Sequence, residues 1–169
     1  METIATFSIV AFDPGRHEWG VAVQSKFMAA AAVVSWAKAS AGAVATQANA
    51  NMAYGPDGLA MLAKGVPAAE VVEVLVRADD GSEDRQLGVV DRQGGAAAFT
   101  GAECHDWAGH IVGDNYACQG NILIPGTVEA MAEQYEVVRR GNGELADWLV
   151  ASLEAGQEAG GDSRGRQAA

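Results

Sequence analysis

Few side chains in this 169-residue sequence have both the type and the setting to do chemistry. The first is Thr6. It opens an apolar stretch, TFSIVAFDPGRHEWGVAVQSK, at Thr6–Lys26. A threonine leading a buried strand close to the chain start can present a nucleophilic hydroxyl at the end of a rigid element. It can equally be the plain first residue of a core hairpin. The second group is Glu103, Cys104, His105 and His110, which together offer oxygen, sulfur and nitrogen ligands. They lack the paired CxxC or HxxxH spacing of a zinc site, so no metal is expected. Cys104 beside His105 suggests a thiol nucleophile, but adjacent residues on an extended segment point apart, which weakens the pairing. The glycines form neither GxGxxG nor a phosphate loop ending in GK[ST], and there is no GxSxG elbow. No cofactor is expected. Gln47, Asn49 and Tyr54 lie in a polar stretch ending in Gly55-Pro56, where amides either hold a substrate's polar groups or cap and close the loop.

The elements that must carry these residues follow from pattern. Phe7–Phe12 and Trp19–Val23 are apolar and rich in β-branched and aromatic residues. Asp13, Pro14, Gly15 and Arg16 lie between them, which predicts a hairpin whose strands are buried on both faces. Two short strands are expected at Ala32–Trp36 and Gly42–Thr46, and a helix over Asp57–Lys64 ended by Gly65. Pro67 starts another helix with Val71, Val74, Leu75 and Ala78 on one face. Asp79–Asp84 reads as an exposed acidic loop. Gln86–Val90 and Ala96–Thr100 flank a turn and form a second hairpin. Gly101–Gly113 is expected to be loop. Tyr116–Ile124 is expected to be a strand in which Gly120 marks a close backbone approach or a bulge. Thr127–Arg139, capped by Thr127, and Glu144–Ala155 complete the helices. Strands then helices, twice over, suggest an α+β fold of antiparallel sheets with a helical layer on each outer side, in one domain.

Composition narrows the function. The net charge of −11 disfavours nucleic acid and anionic membranes as partners. Apolar residues make up 49% of the chain, yet no run is long enough to span a bilayer. Two cysteines, Cys104 and Cys118, do not make a disulfide scaffold, and the first residues lack a basic lead to an apolar run. A cytoplasmic protein is expected.

TFSIVAFDP, GVAVQSKF, AGAVATQANANMAYGPDGL, RQLGVVD, AAFTGAEC, WAGH, CQGNIL and GGDSRGRQ, taken together, resemble a prokaryotic family of uncharacterised proteins, domain-of-unknown-function family 1028. That family is grouped with the N-terminal-nucleophile (Ntn) hydrolases. The resemblance runs from about Thr6 to Ala169. It implies a four-layer αββα sandwich and an amidohydrolase or aminopeptidase acting on small amides or peptides. It implies Thr6 as nucleophile, with its own α-amine as base once the preceding peptide is removed; such an amine has a pKa near 8 and accepts a proton at neutral pH. It further implies Lys26 beside the nucleophile and Gly120 with Asn121 as oxyanion donors. Gln47, Asn49, Tyr54 and Glu103 are then substrate contacts, and Asp114 supports the reacting groups. In the family the threonine directly follows the initiator Met, whereas Glu2–Ala5 intervene here; the expectation is that Thr6 attacks the Ala5 carbonyl and releases residues 1–5. The family also continues beyond GGDSRGRQ with an apolar strand. A strand missing from one sheet, or carried on a smaller companion chain whose Ser or Thr is the nucleophile, is the corresponding expectation. A homo-oligomer is expected, and a non-catalytic oligomer with the same fold is the alternative from another class.

Overall fold

A computed structural model describes residues 6–166. Among them, eight strands form two four-stranded antiparallel sheets. The strands are β1 (Thr6–Asp13), β2 (Glu18–Ser25), β3 (Ser35–Lys38), β4 (Gly42–Ala48), β5 (Arg85–Asp91), β6 (Ala96–Thr100), β7 (Gly109–Gly113) and β8 (Tyr116–Asn121). One sheet has the order β2-β1-β8-β7 and the other β3-β4-β5-β6. The helices are α1 (Ala31–Val34), α2 (Tyr54–Ala63), α3 (Ala68–Arg77), α4 (Thr127–Val138) and α5 (Leu145–Glu158). The result is a mixed α+β fold.

Period-2 alternation in β1 explains how the layers are built. Phe7, Ile9 and Ala11 join Val128, Met131, Tyr135, Trp148 and Leu149 in a core between the first sheet and the α4–α5 pair. Val10 and Phe12 point the other way and meet Ala43, Ala45 and Val90 between the two sheets. On the far side of the second sheet, Val44, Leu87 and Val89 pack with Leu62, Val71 and Leu75 of α2 and α3. A strand buried on both faces must be apolar on both, and β1 is buried at every residue. Its hairpin partner β2 departs from that expectation. It is half-buried over most of its length because it forms the sheet edge, where α5 covers one face.

Four other elements differ from the pattern reading. Ala31–Val34 is a helical turn, with the strand beginning only at Ser35, in keeping with the helix preference of an alanine run. The helix expected from Asp57 begins at Tyr54, because Pro56 falls in its first turn, where no N–H donor is needed. Gly109–Gly113, expected as loop, is a strand on the edge beyond β8. Thr127 is the first helical residue rather than the cap; Gly126 precedes it at φ 97°, and the Thr127 hydroxyl donates to the Ile124 carbonyl at 2.7 Å. The last helix is capped reciprocally by Glu144 and Asp147.

Candidate functional site

Strand register brings one end of both sheets to a common level. Thr6 lies opposite Ser25 on one side and Asn121 on the other. In the facing sheet Gln47 lies opposite Gln86, and Gln86 opposite Thr100. Because Val10 and Phe12 face the second sheet, alternation aims Thr6 and Ser8 at it too. The space between the sheets is therefore apolar at one end and polar at the Thr6 end.

That polar end is closed to solvent. Thr6 is 4% exposed, and Ser8, Ser25, Gln47, Gln86, Gln119 and Asn121 are all at 2% or less. Buried amides need partners, and all of these but the Gln119 oxygen have them. The Thr6 and Ser25 hydroxyl oxygens are 3.1 Å apart. Ser25 Oγ also accepts the Phe27 N–H at 3.1 Å. Ser8 Oγ donates to Gln47 Oε1 at 2.5 Å and accepts from Gln119 Nε2 at 2.6 Å. Gln47 Nε2 reaches the Thr6 carbonyl, the Gln119 carbonyl and Gln86 Oε1. Asn121 Nδ2 donates to Gln86 Oε1 at 2.9 Å. Gln119 Oε1 has no hydrogen-bond partner, and it lies so close to Gly88 that a Cβ there would stand 2.3 Å from it.

The backbone is strained beside these residues. Ile122, directly after Asn121, has φ 56°, and Ala48, directly after Gln47, has φ 65°. A β-branched residue in the left-handed region is a true outlier, and such strain persists only where the surroundings impose it. Here the Ile122 N–H donates to the His105 carbonyl and its own carbonyl accepts from the Ser163 N–H. Gly120 is hemmed in as its place in a strand implied: an added Cβ would stand 2.2 Å from Leu123 Cδ1 and 3.1 Å from Phe7 Cβ.

The remaining candidates sit in different surroundings. Lys26 follows Ser25 just past the end of β2, and its ammonium donates to the Arg164 carbonyl at 3.0 Å and lies 3.9 Å from Asp162 Oδ2. Asp162, 1% exposed, also accepts from the Arg164 guanidinium. Lys26 is thus tied to the GGDSRGR segment on the flank of the Thr6 end. Tyr54 is buried in the outer core of the second sheet, on the opposite side from Thr6. Burial, then the Asp79 carboxylate, pushes its phenol above the ordinary range. Asn49 is exposed and its carbonyl accepts from Arg85. Glu103 is exposed and its N–H donates to the Glu83 carbonyl. Asp114 pairs with Arg139 at 3.0 Å, in the turn between β7 and β8 and thus at the end of that hairpin away from Gly109 and Gly120.

Cys104 turns its thiol to the Arg85 carbonyl at 3.3 Å, and burial, with Asp84 and Glu83 adding to it, pushes the thiol up to about 11. A thiol so held is protonated at neutral pH and is a poor nucleophile. Burial lowers the His110 pKa, and its Nδ1 lies 2.9 Å from the Thr100 hydroxyl. Among the described residues no group of three or more His, Cys, Asp or Glu side chains is arranged to hold a metal ion. No helix among them is long and apolar enough to cross a membrane.

Sequence reasoning missed Ser8, Ser25, Gln86 and Gln119. Each stands in a strand where alternation permits a polar residue, and only the facing sheet makes that face an interior one.

Two antiparallel sheets, each carrying helices on its outer side, with a polar, solvent-closed end between them, define the class of fold. The family model DUF1028, described as a family of unknown function, matches residues 6–169, and the chain belongs to that family. The crystal structure of a member of the same family from Silicibacter pomeroyi is similar over 92% of this chain and 69% of that one, at 31% identity and a TM-score of 0.86. No curated protein matches the chain.

Proposed function

We propose that this chain is an amide-bond hydrolase of the Ntn type, built as a four-layer αββα sandwich, with Thr6 as nucleophile. The observation that carries the reading is the register of Thr6: it starts the central strand β1, faces the second sheet, and stands between Ser25 and Asn121. The strained backbone at Ile122 supports it.

In this reading the Thr6 hydroxyl attacks the carbonyl carbon of a small amide or peptide. Its proton passes to the α-amine of Thr6, which then delivers it to the leaving nitrogen as the C–N bond breaks. Water hydrolyses the resulting ester and regenerates the hydroxyl. Gly120 and Asn121 donate to the oxyanion, an interaction worth about 3 kcal/mol per donor. Gln47 holds the Thr6 main chain rather than the substrate, since its amide is filled by protein partners. Lys26 acts from the flank, through the Asp162 and Arg164 cluster. The α-amine requires cleavage between Ala5 and Thr6, which lies at the boundary of the described residues. The working form is a cytoplasmic homo-oligomer needing no cofactor.

Intact mass and N-terminal sequencing of the purified protein, combined with turnover of aminoacyl chromogenic amides, test this. The expected result is a polypeptide beginning at Thr6 whose turnover disappears in Thr6→Ala. Turnover unchanged in Thr6→Ala, together with a second polypeptide opening with Ser or Thr, moves the nucleophile to that chain. Absence of turnover in every processed form leaves a non-catalytic oligomer.

A further inference from the structure

Gln86 is fully buried, yet its carboxamide serves four strands besides its own. Its Nε2 shares two hydrogens among three acceptors: Thr100 Oγ1 of β6 at 3.1 Å, the Gly109 carbonyl of β7 at 3.2 Å and, closest, the Gly120 carbonyl of β8 at 2.7 Å. Its Oε1 accepts from Gln47 Nε2 of β4 at 3.0 Å and from Asn121 Nδ2 of β8 at 2.9 Å. The carbonyls at one end demand a donor, and the amides at the other demand an acceptor. Only a side chain with both, in this orientation, leaves no buried group orphaned.

We propose that Gln86 is a positioning residue for the Thr6 site, an inference that rests on the reading above. By accepting one N–H of Asn121 it fixes the plane of that amide, and with it the direction of the second N–H. Asn121 is the direct cross-strand partner of Thr6 on the same face. Directly opposed residues stand about 5 Å apart at Cβ, so a rotation of the Asn121 amide changes what a group bound at Thr6 meets. Among the described residues no hydrogen bond joins Gln86 to Thr6; it acts through what it holds on β8, the Asn121 amide and the Gly120 carbonyl just before it.

The test uses Gln86→Glu, which is nearly isosteric. When ionised, the introduced carboxyl has no donor and sets an oxygen against the Gly109 and Gly120 carbonyls. When protonated, it regains one donor and one acceptor, and burial raises the pH at which it ionises. The probe is a β-lactone: an activated Thr6 hydroxyl opens the ring, the ring C–O bond breaks, its oxygen takes the proton, and intact mass reads the adduct. Labelling rate is measured against pH as the ratio of variant to wild type. That ratio cancels groups titrating in both, His110 beyond Thr100 and the Thr6 amine included. Thermal melting is followed over the same range.

The expected ratio is near one at low pH and falls about tenfold to a hundredfold as the carboxyl ionises while the protein is still folded, less than the roughly hundredfold to thousandfold effect of removing an oxyanion donor outright. Asn121→Ala is expected to slow labelling, and the double variant to fall short of the product of the two separate effects, since both residues bear on the same end of β8. A ratio independent of pH, or one falling only in step with unfolding, overturns the positioning role while leaving Thr6 as nucleophile. Wild-type protein beginning at Thr6 that takes no label at that residue overturns the Thr6 reading and this inference with it.

Discussion

The hydroxyl oxygens of Thr6 and Ser25 meet at 3.1 Å across the β1–β2 pair, in a position closed to solvent. Ser25 Oγ is also the acceptor for the Phe27 N–H, so one oxygen joins the start of the central strand to the turn that leaves the edge strand. Ser25→Ala removes both contacts without adding volume. The expected loss of stability is about 1–3 kcal/mol, the cost of leaving buried polar groups without a partner. Urea unfolding of the two proteins measures it, with Ser25→Thr as the comparison that keeps the hydroxyl.

The two sheets approach so closely at Gly88 that there is no room for a methyl group. An alanine Cβ would stand 2.3 Å from Gln119 Oε1 and 2.7 Å from its Cδ. Gln119 cannot simply swing away, because its Nε2 is held by Ser8, which in turn holds Gln47. Gly88→Ala is therefore expected to destabilise by about 1–3 kcal/mol through overpacking. Pairing it with Gln119→Ala relieves the clash, so the double variant should be less destabilised than the sum of the two single changes. Strict additivity in equilibrium unfolding would show that the side chain moves freely.

Ser8 and Gln119 also explain how far the sequence could be read. The β1–β2 hairpin was legible because Pro14 and Gly15 interrupt two apolar runs, and most of the helices because their apolar residues recur at helical spacing. The start of β7 was not legible: Gly109 and Gly113 bound only three residues, too few for alternation to register. The polar site was half legible. Thr6, Gln47, Gly120 and Asn121 were singled out, and the fold gathers them at one end of the sheets. Ser8, Ser25, Gln86 and Gln119 were not: Ser8 is a single hydroxyl within an apolar run, and at the other three a polar residue at an alternate strand position has the pattern of a solvent face. Which face is interior is decided by the facing sheet, and strand pairing carries no local signal for that. Tyr54, singled out for its place in a polar stretch, lies instead across the second sheet, where it begins α2.

The stretch expected as an exposed acidic loop contains a structural clamp. Asp79 accepts from Asn51 Nδ2 at 2.8 Å, from the Gly81 N–H at 2.9 Å and from Arg85 Nε at 3.2 Å. The bond from Asn51 leads, and those from Gly81 and Arg85 add to it, holding the carboxyl well below its ordinary value of 3.8 despite burial. A carboxyl whose pKa is depressed by folding stabilises the protein above its unfolded pKa. That contribution is withdrawn as pH falls from about 4 toward the lower, folded value. Asp79→Asn should therefore lose stability at neutral pH, and the gap between it and wild type should narrow below about pH 4. Denaturant unfolding at a series of pH values reads the gap; a gap that widens on acidification contradicts the assignment.

Cys104 separates the hydroxyl reading from a thiol one. Its thiol is pushed up to about 11, chiefly by burial, and Cys118 is fully buried with its thiol pushed higher still. Only about one molecule in a thousand or fewer carries the Cys104 thiolate at pH 7.5, given that the ionised fraction falls tenfold per pH unit below the pKa. Iodoacetamide should label the folded protein far more slowly than it labels a free thiol, with the rate rising about tenfold per pH unit up to the pKa. Cys104→Ala should leave the labelling of Thr6 by a β-lactone unchanged. Rapid alkylation at neutral pH that abolishes that labelling would instead make the loop beside β7 part of the reacting centre.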